Sequence, residues 1–240
     1  INIGESNGWE DQCLRIAWRL HCNHTPKAWQ GYAGLNQPDN FPLRNFNSKS
    51  QETVKNDLCE FTDALAIVSY HYAGLMSRNK ERMFSNEERV WLSKIHRTGN
   101  VANFLPLMVA TRKQYQDQRV SLDEYHELLS ALECYAYRVF LFEGKRSNAG
   151  KSKLFLWGRQ VYLNEKAVSE VTHNLYGLIQ HYSSENRFHE FLQQPFAWYR
   201  KRHLIKYTLY EYELTLLKAD NKKPVLGWKD LDDTTIEHIL

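Results

Sequence analysis

Glycine and proline are scarce in this sequence, 11 and 6 in 240 residues. Turn-rich β architectures use these residues at most chain reversals, so their scarcity argues for helices and against sandwiches or barrels. Cysteine is scarce as well. Cys13, Cys22, Cys59 and Cys134 lie far apart and form no Cys-x-x-Cys pair, which argues against a disulfide framework and predicts a reduced, cytoplasmic protein. No apolar run approaches the ~18 residues of a membrane span, and no secretory leader is visible. Neither charge sign dominates: 31 Lys and Arg face 28 Asp and Glu, for a formal net charge of +3. The chain is no polycation, so any nucleic-acid surface has to be a local patch.

What is abundant is aromatic: 7 Trp, 14 Tyr and 11 Phe, within 42% hydrophobic and 25% charged residues. This is the composition of a globular protein with a sizeable core. Helical periodicity dominates. From Ser50, the residues Val54, Leu58, Phe61, Leu65, Val68, Tyr72 and Leu75 recur at steps of four and three and predict one long amphipathic helix. Asn86, followed by Glu87 and Glu88, is the expected N-cap of a second helix. Pro106 suits the first turn of a third. Ser121 and Glu124 stand at capping-box spacing before an apolar face of Tyr125, Leu128, Leu129, Leu132, Ala136 and Val139. Further faces use Val168, Val171, Leu175, Leu178 and Tyr182, then Leu204, Tyr207, Tyr210, Leu214 and Leu217. The stretch LFLW at 154–157 fits strand or helix, and segments 23–49, 144–152, 183–196 and 219–233 read as irregular. The expectation is an all-α fold, an irregular multi-helix bundle in one domain or two packed sub-bundles. Residues 1–49 form an irregular segment with one helix, 50–233 the helical domain, and 234–240 a separate motif.

Two motifs invite chemistry and fall short. His21, Cys22 and His24 in "HCNH" could ligate a metal, but no second ligand cluster stands at zinc-like spacing. "EGKRSNAGKS" ends like a phosphate-binding loop, yet five residues separate Gly144 from Gly150 where the pattern needs four, and the preceding segment reads as helix rather than strand. A stronger signal is charge. Gly144–Asn164 carries Lys145, Arg146, Lys151, Lys153 and Arg159 with no acid, and Arg138 precedes it. A second acid-free stretch, "PFAWYRKRHLIKYTLY", places Arg200, Lys201, Arg202 and Lys206 beside Trp198 and Tyr199. Basic side chains among aromatics suit phosphate contact with base stacking. The expected phosphate contacts are therefore Arg138, Arg146, Lys151, Arg200, Lys201, Arg202 and Lys206, with Trp198 and Tyr199 as stacking residues. A solvated helix face with snorkelling Lys and Arg stems explains the same pattern.

The last residues, "TIEHIL", pair an acid with an imidazole. In a metal-dependent nuclease an imidazole takes the proton of the attacking water while a carboxylate helps to hold the divalent ion. Together with "NFLPLMVATR" and "YAYRVFLFEGKRSNAGKSKLF", in that order, this ending resembles the GmrSD-like family of modification-dependent (type IV) restriction proteins. The resemblance is best from about Val101 to Leu240. It implies the helical middle region between a nucleotide-hydrolysing domain and an HNH-type nuclease domain. Glu237 would be a metal ligand and His238 the general base, in a motif that breaks off at Leu240. It also implies a parent enzyme that acts on DNA and uses a divalent metal and a nucleoside triphosphate. These 240 residues would be a catalytically incomplete piece, with no cofactor of their own. The family's Asp-Gly-Gln-Gln-Arg nucleotide motif is absent, and Ile1 stands where a Met would begin a complete chain. The alternative, from a different class, is a non-catalytic structural or oligomerisation module without nucleic-acid contact.

Overall fold

The computed structural model describes residues 9–22, 50–76, 85–194 and 201–231. Among them are nine α-helices and no strand: α1 (Trp9–His21), α2 (Gln51–Met76), α3 (Asn86–Arg97), α4 (Leu105–Gln116), α5 (Leu122–Tyr135), α6 (Lys151–Tyr162), α7 (Val168–Tyr182), α8 (Glu185–Leu192) and α9 (Arg202–Ala219). The fold is an all-α bundle, and no described helix is long and apolar enough to cross a membrane.

The periodic stripes become the core. On α2, Val54, Phe61, Val68, Tyr72 and Leu75 are buried, with Leu58 and Leu65 half-buried. The Ser121 capping box forms with both of its hydrogen bonds, and the face it introduces is buried from Tyr125 through Val139. The cap of α3 lies one residue earlier than expected. Ser85, in extended backbone, accepts from the Glu88 amide through its side chain, and Asn86 is the first helical residue. Segment 154–157 is helix, inside α6. The expected irregular segment 183–196 contains α8, an eight-residue helix none of whose residues is fully buried.

Helices α4 and α6 form the most extensive pair, and α5 with α7 the next. The first pair touches backbone to backbone at Gly158. A Cβ there would stand 3.0 Å from the Leu107 nitrogen and 3.0 Å from the Pro106 carbonyl carbon, so a side chain would push the two backbones apart. Helix α1 packs on α2 and α6, and Cys13, Ile16, Ala17, Trp18 and Leu20 belong to the same core as the later helices. Helix α1 therefore shares the core of the later helices.

After Tyr135 the α5 chain widens into a π-helical segment, Ala136–Phe142. The wider turn keeps Ala136, Val139, Phe140 and Phe142 buried together with Arg138.

A buried polar network ties four helices together. The Arg112 Nε donates to Glu88 Oε1 at 3.0 Å, and Tyr125 donates to the same oxygen at 2.7 Å. Arg112 Nη1 lies 3.1 Å from His71 Nδ1, which must be the bare, accepting nitrogen of that ring. Arg112, Glu88, His71 and Tyr125 are all buried. Burial, with the Arg112 charge beside it, holds the His71 imidazole down at about 4, so the ring is neutral at pH 7.

Candidate nucleic-acid interface

The loop that reads like a phosphate cradle does not form one. The Ala149 amide donates to the Arg146 carbonyl, the Gly150 amide to the Tyr182 hydroxyl, and the Lys151 amide to the Asn148 carbonyl. Three consecutive amides are thus spent inside the protein rather than converging on one anion. Gly150 adopts φ +68°, and a Cβ there would collide with the Tyr135 hydroxyl, so the glycine serves the turn into α6.

The basic residues of the first stretch divide by environment. Arg138 is an interior residue. Its Nη1 pairs with Glu185 Oε2 at 2.6 Å, its Nη2 donates to the Ser183 carbonyl at 2.7 Å, and its guanidinium lies 4.7 Å from the Phe188 ring centroid. These contacts fasten the π segment to the end of α7 and the start of α8, and they leave Arg138 little reach toward a phosphate. Arg159 is likewise structural, donating to the Leu20 and His21 carbonyls at the C-terminus of α1. Lys145, Arg146 and Lys153 are exposed, and Lys151 is half-buried at the first position of α6.

In the second stretch, Trp198, Tyr199 and Arg200 lie outside the described residues, and so do Glu237 and His238. Lys201 donates to the Phe142 carbonyl, with its ammonium about 5 Å from the rings of Phe142 and Phe191. Burial pulls its pKa down, against the opposing charge of Glu143. Lys206 donates to the Leu231 carbonyl at 2.7 Å over the ring of Trp228. Arg202 is exposed. Beside Lys201 opens a cavity of about 300 Å³, walled by Phe142, Glu143, Arg187, Glu190, Phe191 and Gln194.

The two stretches therefore have different company. Lys201 sits among Glu143, Arg187 and aromatic rings, whereas the charges felt by Lys151 are those of Arg19 and Arg15. Those two arginines of α1 were not among the expected contacts. The Arg19 guanidinium lies 4.3 Å from the centroid of Phe155, and the Lys151 ammonium 5.4 Å from the same ring. Burial and the neighbouring Arg15 lower the Arg19 pKa, and burial, Arg19 and Arg15 lower that of Lys151. Arg15 pairs with Asp11 one turn away at 2.6 Å. Neither Arg19 nor Lys151 has a carboxylate partner among the described residues. The sequence shows Arg15 and Arg19 four apart on one helix face, but nothing local announces that Lys151 joins them.

The "HCNH" motif ends with His24, outside the described residues. Burial pushes the Cys22 thiol up to about 12 and lowers the His21 imidazole. Among the described residues no three His, Cys, Asp or Glu side chains gather as a metal-ligand set. No family model matches the chain, and neither a curated protein nor a solved structure is similar to it.

Proposed function

We propose that this chain is the helical scaffold and DNA-facing region of a modification-dependent HNH DNA endonuclease of the restriction and phage-defence type. The observation that carries the DNA-facing part is the gathering of Arg19 and Lys151 around Phe155 with no carboxylate partner among the described residues. Cations left unneutralised attract a polyanion, because phosphate contact releases condensed counterions. The scaffold part is supported by where the family-like segments lie. "NFLPLMVATR" runs into α4, "YAYRVFLFEGKRSNAGKSKLF" covers the π segment and the start of α6, and α4 and α6 pack directly on each other. In this reading Glu237 is a metal-ligand position and His238 the general-base position. The divalent metal and the nucleoside triphosphate then serve the parent's nuclease and nucleotide-hydrolysing domains.

The test is binding of this chain to duplex DNA across a salt series. Each phosphate contact adds about 0.9 to the magnitude of the log–log slope, so a slope of at least roughly 2 is expected. No binding at low salt removes the DNA-facing role.

One observation favours a second reading, an interaction or oligomerisation module. Leu209, Tyr212 and Leu216 are exposed at steps of three and four along α9. Analytical ultracentrifugation decides it: a concentration-dependent dimer that Leu209→Ser with Leu216→Ser abolishes supports that module, and a monomer at every concentration sinks it.

A further inference from the structure

Helix α6 opens against the usual electrostatics. Its first turn holds no acid and no side-chain cap, and it carries Lys151 and Lys153 where the helix dipole already places positive charge. Natural helices place acids there, so the arrangement raises the local potential further. Across from it, α1 brings Arg19 to the same Phe155 ring, itself 2% exposed. The Arg19 Nε–H is shielded from solvent and has no hydrogen-bond partner among the described residues. The Arg19 charge has no carboxylate partner among the described residues, so the guanidinium keeps its attraction for an external anion.

Resting on the DNA-facing reading above, we propose that the junction of α1 with the first turn of α6 is the nucleic-acid surface of this protein, binding backbone phosphates through Arg19 and Lys151. Arg15, one turn away on α1, is paired with Asp11 and is not one of the contacts. Arg19 and Lys151 are offered here as phosphate contacts, which position a duplex without reading its sequence. Its location differs from the Lys201–Lys206 stretch, whose first and last lysines are occupied by the Phe142 and Leu231 carbonyls.

The experiment measures duplex DNA binding across a salt series for the whole chain, for Lys151→Gln, and for Arg19→Gln combined with Lys151→Gln. Lys222→Gln with Lys223→Gln serves as the control at exposed lysines beyond α9. Thermal melts confirm folding, and the single Lys151→Gln variant keeps the test valid if the loss of Arg19 loosens Phe155. The slope magnitude is expected to fall by about 0.9 in the single variant and about 1.8 in the double, with the control unchanged. Unchanged slopes in both variants, with the parent chain binding normally, overturn this surface and leave the DNA reading standing. Failure of the parent chain to bind DNA overturns both. A Lys151-dependent affinity for polyglutamate greater than that for DNA assigns the surface to an acidic protein and overturns it as well.

Discussion

Arg112 and Arg19 are both helix-borne arginines set against aromatic and apolar neighbours, and their surroundings are opposite. Arg112 is buried with the Glu88 carboxylate, the Tyr125 hydroxyl and the neutral His71 around it, so charge and donors are satisfied within the protein. Arg19 meets Arg15 and Lys151 instead, with no carboxylate partner among the described residues. The difference separates two uses of the same side chain. A guanidinium whose counter-charge comes from the fold is part of the fold; one surrounded by like charge keeps its attraction for an external anion. Arg138, paired with Glu185 and capping the end of α7, belongs with Arg112 although the sequence groups it with the basic stretch.

The largest effect should come from cutting the counter-charge of the interior arginine. Glu88→Ala leaves Arg112 charged and buried and Tyr125 without an acceptor, and a loss of about 3–5 kcal/mol in urea unfolding is expected. A loss below about 1 kcal/mol would erase the contrast between the two arginines.

The next effect is protonic. The His71 imidazole sits at about 4 in the folded protein against 6.5 for an unperturbed ring, so the unfolded chain binds the proton more readily. Its contribution is fully present above pH 6.5 and is lost as pH falls toward 4. The loss is about 1.4 kcal/mol per pH unit, roughly 3 kcal/mol in all. Urea unfolding at a series of pH values should show this slope in the parent chain and a flatter one in His71→Gln, whose amide oxygen can still accept from Arg112. Equal slopes would mean that other groups carry the acid sensitivity.

The smallest effect is expected at the cationic surface. Lys151→Gln removes one member of a like-charge cluster and should change stability by less than about 0.5 kcal/mol in the same assay. A larger destabilisation would make Lys151 a structural residue like Arg138.

Much of the architecture was legible locally. The stripes from Val54 to Leu75 and from Tyr125 to Val139 were read at helical period, and the capping box at Ser121 is a four-residue signal that the structure reproduces bond for bond. Helix α8 escaped because it is only eight residues long, and Phe188, Phe191 and Leu192 span too few turns for a period to stand out. The α3 cap was misplaced by one residue because Ser85 and Asn86 are both competent caps, and only the extended backbone at Ser85 selects between them. The polar interior and the charged surface were harder to read. Lys201 and Lys206 look like free cations in sequence, but their acceptors are carbonyls at Phe142 and Leu231, 59 and 25 residues away.

By itself the sequence determined the all-α class, most helices and the faces they bury, because hydrophobic period and capping act over a few residues. Tertiary structure alone decided which arginines are satisfied and which are not. Electrostatic partnership depends on distance in space, and the residues 24 to 47 positions apart that neutralise Arg112 and Arg138 meet only when helices pack.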